Sequence, residues 1–125
     1  TTIASTIAAI ECLNNIILII GGKEKGLINK IELLKCINHP KVVSVIIYGD
    51  VSLILKDQLA DYDLSANPIK FCYSFKKAVE KSIDLSFPNS SILLSPGFSS
   101  FDQFENYEDR GNVFKKIITE MNYDK

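Results

Sequence analysis

The sequence predicts a three-layer α/β domain, a mainly parallel sheet with helices on both faces. Two observations carry that prediction. Short, almost unbroken apolar runs alternate with stretches whose apolar residues recur at helical spacing. The runs are also rich in Ile, Val and Leu, as expected for strands buried on both faces of a parallel sheet. The chain has 125 residues, 46% hydrophobic and 23% charged, which suits one globular domain with a single packed core.

Ile3, Ile7 and Ile10, with Ala4 and Ala8, repeat at helical spacing until Asn14-Asn15 interrupts them. Ile16–Ile20 is a continuous branched run ending at Gly21-Gly22, and reads as the first buried strand. Leu27, Ile31 and Leu34 restore helical spacing up to the stop at Asn38-His39-Pro40. Val42–Ile47 is the second buried strand, ending near Tyr48-Gly49. Asp50 is placed to cap a helix carrying Val51, Leu55 and Leu59. Ile69–Tyr73 is a third, weaker strand, after which Ser74 caps a helix bearing Phe75, Ala78, Val79 and Ile83. Pro88-Asn89 makes a turn, Ile92–Leu94 is the fourth strand, and Pro96-Gly97 ends it. Val113, Phe114, Ile117, Ile118 and Met121 mark a last helix. No repeat or long linker divides the chain, so residues 1–125 read as one domain. It opens on a helix where a doubly wound sheet would first have a strand, and it begins Thr1-Thr2-Ile3 without an initiator Met. Both features lead us to expect a piece of something longer.

Charge excludes several function classes. Fourteen basic and fifteen acidic residues leave a net charge of −1, which gives no broad field for nucleic acid or an anionic membrane. The longest apolar run, Ile16–Ile20, is too short to span a bilayer. Cys12, Cys36 and Cys72 form no C-x-x-C pair, so neither a zinc site nor a disulfide framework is expected. Each sits among apolar neighbours and reads as a buried reduced thiol, in keeping with a reducing cytosol. His39, the only imidazole, reads as a loop residue, so no Ser–His–Asp or Cys–His constellation can be assembled.

Ligands of open parallel sheets bind beyond the carboxyl ends of the strands. Gly21–Gly26, Tyr48–Asp50, Tyr73-Ser74 and Ser95–Gln103 lie there. Gly21-Gly22-Lys23-Glu24-Lys25-Gly26 is not a Walker loop, because Leu27-Ile28 follow where a lysine and a hydroxyl residue are required. A lysine in that turn can meet an anion as a point charge, or simply stand in solvent. In Ser95–Phe104, Ser99 or Ser100 can cap a short helix from Phe101-Asp102, whose free N–H groups would favour a carboxylate or phosphate. Phe98, Phe101, Phe104 and Tyr107 gather at the same mouth; capping with aromatic packing accounts for the stretch equally well. Glu105, Glu108, Asp109 and Arg110 read as a solvated face with local ion pairs. From residues alone, the chain is an anion-binding α/β module with no catalytic machinery of its own.

One stretch goes further. Leu93-Leu94-Ser95-Pro96-Gly97-Phe98-Ser99-Ser100-Phe101-Asp102-Gln103-Phe104-Glu105-Asn106-Tyr107-Glu108-Asp109-Arg110-Gly111 resembles the signature L-L-S-P-A-x-A-S-x-D-Q-F-x-[ND]-[FY]-E-x-R-G. That string marks the C-terminal domain of the D-glutamate-adding Mur ligases. Gly21-Gly22-Lys23-Glu24-Lys25 is similar to the same family's G-G-x-x-K, and Thr1–Thr6 looks like the continuation of its N-D-S-K-A-T-N motif.

The resemblance implies a Rossmann-like domain that holds D-glutamate. Lys25 would meet one substrate carboxylate, and Ser100 with the Phe101 backbone would hold the other. Thr1 would add a hydroxyl and Tyr107 would line the pocket. In such ligases ATP phosphorylates the carboxylate of UDP-N-acetylmuramoyl-L-alanine, and the D-glutamate amine attacks the acyl phosphate, a step of peptidoglycan synthesis in the bacterial cytoplasm. The resemblance assigns ATP and Mg to a central domain, so no catalytic residue, metal ligand or cofactor is expected within this chain, and alone it should be inactive. Its expected partners are the two small-molecule substrates and the rest of the ligase, with no nucleic acid and no membrane. The sequence departs from the family at Leu27-Ile28-Asn29, where an Asp-Phe pair is common, and at Gly97-Phe98, where smaller residues stand. A related Mur or folylpolyglutamate-type amide ligase, or a free-standing small-anion module, remains as the alternative.

Overall fold

In a computed structural model of the chain, residues 3–22, 30–59, 69–97 and 112–119 are described. Their order is α1 (Ile3–Glu11), β1 (Ile16–Gly21), α2 (Lys30–Ile37), β2 (Val42–Tyr48), α3 (Val51–Gln58), β3 (Ile69–Cys72), α4 (Phe75–Leu85) and β4 (Ser91–Gly97). A further helix, α5, covers residues 112–119. The strands form a four-stranded sheet in the order β3-β2-β1-β4, with every pair parallel. The three-layer Rossmann-like architecture expected from the apolar pattern is therefore the observed one.

Side-chain alternation along β1 builds two cores. Ile16, Leu18 and Ile20 face one side, where they pack with Ile10 of α1, Leu33 and Ile37 of α2, and Val51 and Leu55 of α3. Ile17 and Ile19 face the other, against Phe75, Ala78, Val79 and Ile83 of α4 and Ile117 of α5. Both faces are apolar because both are covered, which is why the strand reads as an unbroken run. On β2 the alternation is reset once. Ile16 pairs with Val42 but Ile17 pairs with Ser44, so Val43 is an extra residue, a bulge. After it, Val45 and Ile47 join the first core while Ile46 and Tyr48 join the second.

The layering follows from the hand of the connections. α2 and α3 carry the chain outward from β1 to β2 to β3 along one face. The return from β3 to β4 runs in the opposite direction, so a right-handed crossover must place α4 on the other face. α1 lies on the α2 face against β4 and α2. Among the described residues no strand precedes it, and the outer edge of β4 pairs with none. Its last carbonyl, at Glu11, accepts from the Lys41 ammonium at 2.7 Å, and the Lys41 carbonyl accepts from Ile16 N–H at 2.8 Å. The end of α1 is thereby fixed at the amino edge of the sheet, and its start points towards the carboxyl edge.

Residues with left-handed backbone close the amino edge. Asn15 (φ 49°) and Asn89 (φ 71°) are asparagines, among the few side chains that tolerate this region. The Asn15 side chain donates to the Asn89 carbonyl at 3.3 Å, and Ser91 N–H donates to the Asn15 carbonyl at 3.1 Å, joining the starts of β1 and β4.

Local expectations met several corrections. Ser74 caps α4 as expected, its hydroxyl accepting from Lys77 N–H at 3.3 Å. Ser74→Ala should cost about 1 kcal/mol in a denaturation midpoint, the usual value of a lost N-cap. Asp50 occupies the N-cap position of α3 but makes no side-chain cap; its backbone is helical (φ −59°, ψ −35°) and its carboxylate accepts from the Tyr73 hydroxyl at 3.0 Å. A residue already in helical conformation turns its side chain away from the free N–H groups. Of the cysteines expected in the interior, Cys36 is buried and Cys72 partly so, but Cys12 is exposed just past the end of α1, its thiol against the Ala8 carbonyl. β3 stops at Cys72, one residue early, and β4 runs on to Gly97.

Candidate functional site

At the carboxyl edge, Gly21 is the point of closest approach. It pairs with Tyr48 of β2 on one side and with Gly97 of β4 on the other. A Cβ on Gly21 would run into the Tyr48 carbonyl and lie 2.5 and 2.7 Å from two carbons of the Tyr48 ring. Only glycine fits there. Gly22 turns the chain out of the sheet at φ 128°, its N–H donating to the Tyr48 carbonyl at 3.3 Å and its carbonyl accepting from Val51 N–H at 3.1 Å.

The next turn along the edge is built in the same way. Gly49 (φ 81°) donates its N–H to the Tyr73 carbonyl at 3.1 Å, and its own carbonyl accepts from the buried Ser52 hydroxyl at 2.7 Å. The Tyr73–Asp50 hydrogen bond ties the ends of β3 and β2 once more. The carboxyl ends of β1, β2 and β3 are therefore stitched into one rigid rim. The sequence pattern places Tyr48–Asp50 and Tyr73-Ser74 on this edge, and the structure adds that they bond to each other. The pairing depends on strand order, which no local pattern encodes.

Strand order also fixes where a ligand fits. The chain leaves β1 towards β2 and β3 and returns on the far side as β4, so neighbouring β1 and β4 send their following segments to opposite faces. A crevice opens at such a switch point. The two segments singled out in the sequence, Gly21–Gly26 and Ser95–Gln103, begin at the ends of β1 and β4, on either side of it. Lys25, Ser100, Phe101, Tyr107 and Thr1 themselves lie outside the described residues. What the structure places is their points of attachment: the ends of β1 and β4, and the start of α1.

Elsewhere the chemistry is sparse. His39 is half-buried, its Nδ1 accepting from Lys41 N–H at 3.1 Å in the turn before β2, at the sheet's amino edge. Among the described residues no group of three or more His, Cys, Asp or Glu is placed to hold a metal ion, and no helix is long and apolar enough to cross a membrane.

Comparison with known proteins gives a family likeness over most of the chain. No family model matches the chain. A UDP-N-acetylmuramoylalanine–D-glutamate ligase of Thermoanaerobacter sp. (strain X514) is 35% identical over 118 residues, 94% of this chain and 26% of that protein. The ligase of the same name from Aquifex aeolicus (strain VF5) is 35% identical over 105 residues, 84% of this chain and 24% of that one. A third, from Chlamydia abortus (strain DSM 27085 / S26/3), is 34% identical over 114 residues, 91% and 26%. The chain thus spans about a quarter of the length of these relatives, and the portion it matches is C-terminal.

Proposed function

We propose that this chain, a homologue of the C-terminal portion of UDP-N-acetylmuramoylalanine–D-glutamate ligases, is the domain that receives D-glutamate in such a ligase. The observation that supports the reading is the adjacency of β1 and β4, the strands that lead into the two motif-bearing segments. The two strands lie at the switch point of a parallel sheet, where open α/β folds take their ligands.

Lys25 follows Gly22 by three residues and Ser100 follows Gly97 by three, and such tethers span about 10 Å at full extension. A small dianion fits between groups held that way. The Lys25 ammonium takes one carboxylate as a point charge, and the Ser100 hydroxyl with Phe101 N–H takes the other. Tyr107 lines the same mouth, and Thr1, two residues before α1, adds a hydroxyl from the third side. With both carboxylates fixed, the amine of D-glutamate is left facing out of the crevice, towards an acceptor held by the remainder of the protein. Orientation of that kind is this domain's contribution to the rate.

The whole ligase would use ATP and Mg to activate the carboxylate of UDP-N-acetylmuramoyl-L-alanine. Gly21–Gly26 lacks the lysine and hydroxyl that follow the second glycine of a phosphate loop. By the family resemblance we assign nucleotide and metal to other parts of such a ligase, place the reaction in the cytoplasm, and expect neither ligase nor ATPase activity from residues 1–125 alone.

A substrate screen on the full-length protein tests this reading. With ATP and UDP-N-acetylmuramoyl-L-alanine, D-glutamate should be ligated in strong preference to L-glutamate and other amino acids. Preference for another amino acid, or glutamylation of a folate, would move the chain to a different amide ligase. Absence of any ligation would leave a free-standing anion-binding module.

A further inference from the structure

Among the described residues, five large apolar side chains stand exposed: Ile31, Leu53, Ile54, Tyr73 and Phe87. Single apolar residues on a surface are ordinary, but these are not scattered. α2 and α3 each lead from the carboxyl end of one parallel strand back to the amino end of the next, so both start at the carboxyl edge. Ile31 is the second residue of α2, Leu53 and Ile54 are the third and fourth of α3, and Tyr73 directly follows β3. Four of the five therefore gather at this edge, while Phe87, in the turn before β4, lies at the other. The group at α3 is continuous. Asp50 already has helical backbone, so Asp50, Leu53 and Ile54, three and four residues apart, share one face of the helix. The Tyr73 hydroxyl donates to the Asp50 carboxylate at 3.0 Å, which brings the exposed tyrosine to the head of that face. Val51 and Leu55, on the other side of α3, are fully buried and already supply its contact with the sheet.

We infer that Leu53, Ile54 and Tyr73 form the surface on which the remainder of the ligase seats against this domain; the inference rests on the ligase reading above. Apolar side chains bordered by a hydrogen-bonded polar pair have the make-up of a protein–protein contact. Two observations select the occupant. The chain spans 26% of one relative and 24% of another, so a ligase of that length has a large body to place against this domain. The patch also flanks the edge at which an open parallel sheet takes its ligand. The part of the ligase that holds the acceptor must approach that edge for the two substrates to meet. Contacts between domains of one chain are smaller and more polar than those of permanent dimers. Three apolar side chains beside an Asp–Tyr pair suit such a contact better than a second copy of the chain.

The test measures coverage of the patch in the full-length protein, with no substrate present. Cys12 is exposed, so Cys12→Ser supplies the background, and labelling of that parent is subtracted to correct for other thiols. On it, Leu53→Cys and, separately, Phe87→Cys are labelled with a maleimide, each rate being divided by that of the same variant in urea. Within the domain Leu53 is the more exposed of the two, 70% against 46%. Covered by the rest of the ligase, Leu53→Cys should nevertheless react about tenfold more slowly than Phe87→Cys, at every protein concentration. Equal or faster labelling at Leu53→Cys would overturn the inference. Protection that grows with protein concentration would overturn it too, since a second copy would then be the occupant. If Leu53→Cys folds poorly, Tyr73→Cys probes the same patch with the same expectation. Labelling needs no turnover, which keeps the two readings apart. A protected patch on a protein that ligates no D-glutamate marks failure of the proposed function alone, and an unprotected patch on an active ligase marks failure of the interface alone.

Discussion

Gly21→Ala should destabilise the domain by about 3 kcal/mol, the upper end of what one inserted methyl group costs in a packed interior. The added carbon meets the Tyr48 backbone carbonyl first and its ring second. A ring can rotate away, but a carbonyl within the β1–β2 ladder cannot, so the two strands must separate. β1 is the inner strand that joins β2 to β4, and widening one ladder disturbs the other. Domains of this size are stable by only about 5–15 kcal/mol, so the loss would be conspicuous in a urea titration. Replacing Tyr48 with Val in the Gly21→Ala background should recover only the part owed to the ring. A Gly21→Ala domain within about 0.5 kcal/mol of the parent would mean that the strands are not packed as described.

Much of this architecture is legible in the sequence, for a physical reason. A strand covered on both faces must be apolar at every position, and Ile16–Ile20 and Val42–Ile47 satisfy that so fully that no helical pattern competes. The Ser74 cap is legible because it is a local interaction within four residues. The Val43 bulge is not, since it is a relation between two strands distant in sequence. The role of Asp50 is not legible because a capping residue is recognised by type, whereas capping depends on backbone angles and on a Tyr73 hydroxyl that arrives only with β3. The apolar neighbours of Cys12 suggest an interior position, yet it falls past the end of α1, where helical periodicity no longer assigns a face.

The candidate site divides along the same line. Its residue types are visible in the sequence: a lysine in a glycine-flanked turn, and serines before an aromatic and acidic helix start. Composition and spacing leave each of these as readily a surface feature as a ligand contact. Sheet order puts the exits of β1 and β4, the strands that lead into these two stretches, side by side at the switch point. The near-neutral charge of the chain fits the same picture, since one small dianion held by one lysine and a few hydrogen-bond donors requires no extended basic field.

The most direct measurement is the steady-state kinetics of Lys25→Ala in the full-length ligase, with D-glutamate and ATP varied in turn. A charge-assisted contact to a carboxylate contributes about 1.5–3 kcal/mol, so its removal should raise the KM for D-glutamate by roughly 10- to 100-fold. The KM for ATP should stay within about twofold, because the nucleotide is proposed to bind outside residues 1–125. Lys25→Arg should recover only part of the loss, as a planar guanidinium does not reproduce a compact ammonium point charge. A selective rise for D-glutamate is the predicted result; D-glutamate kinetics unchanged by Lys25→Ala would contradict the account.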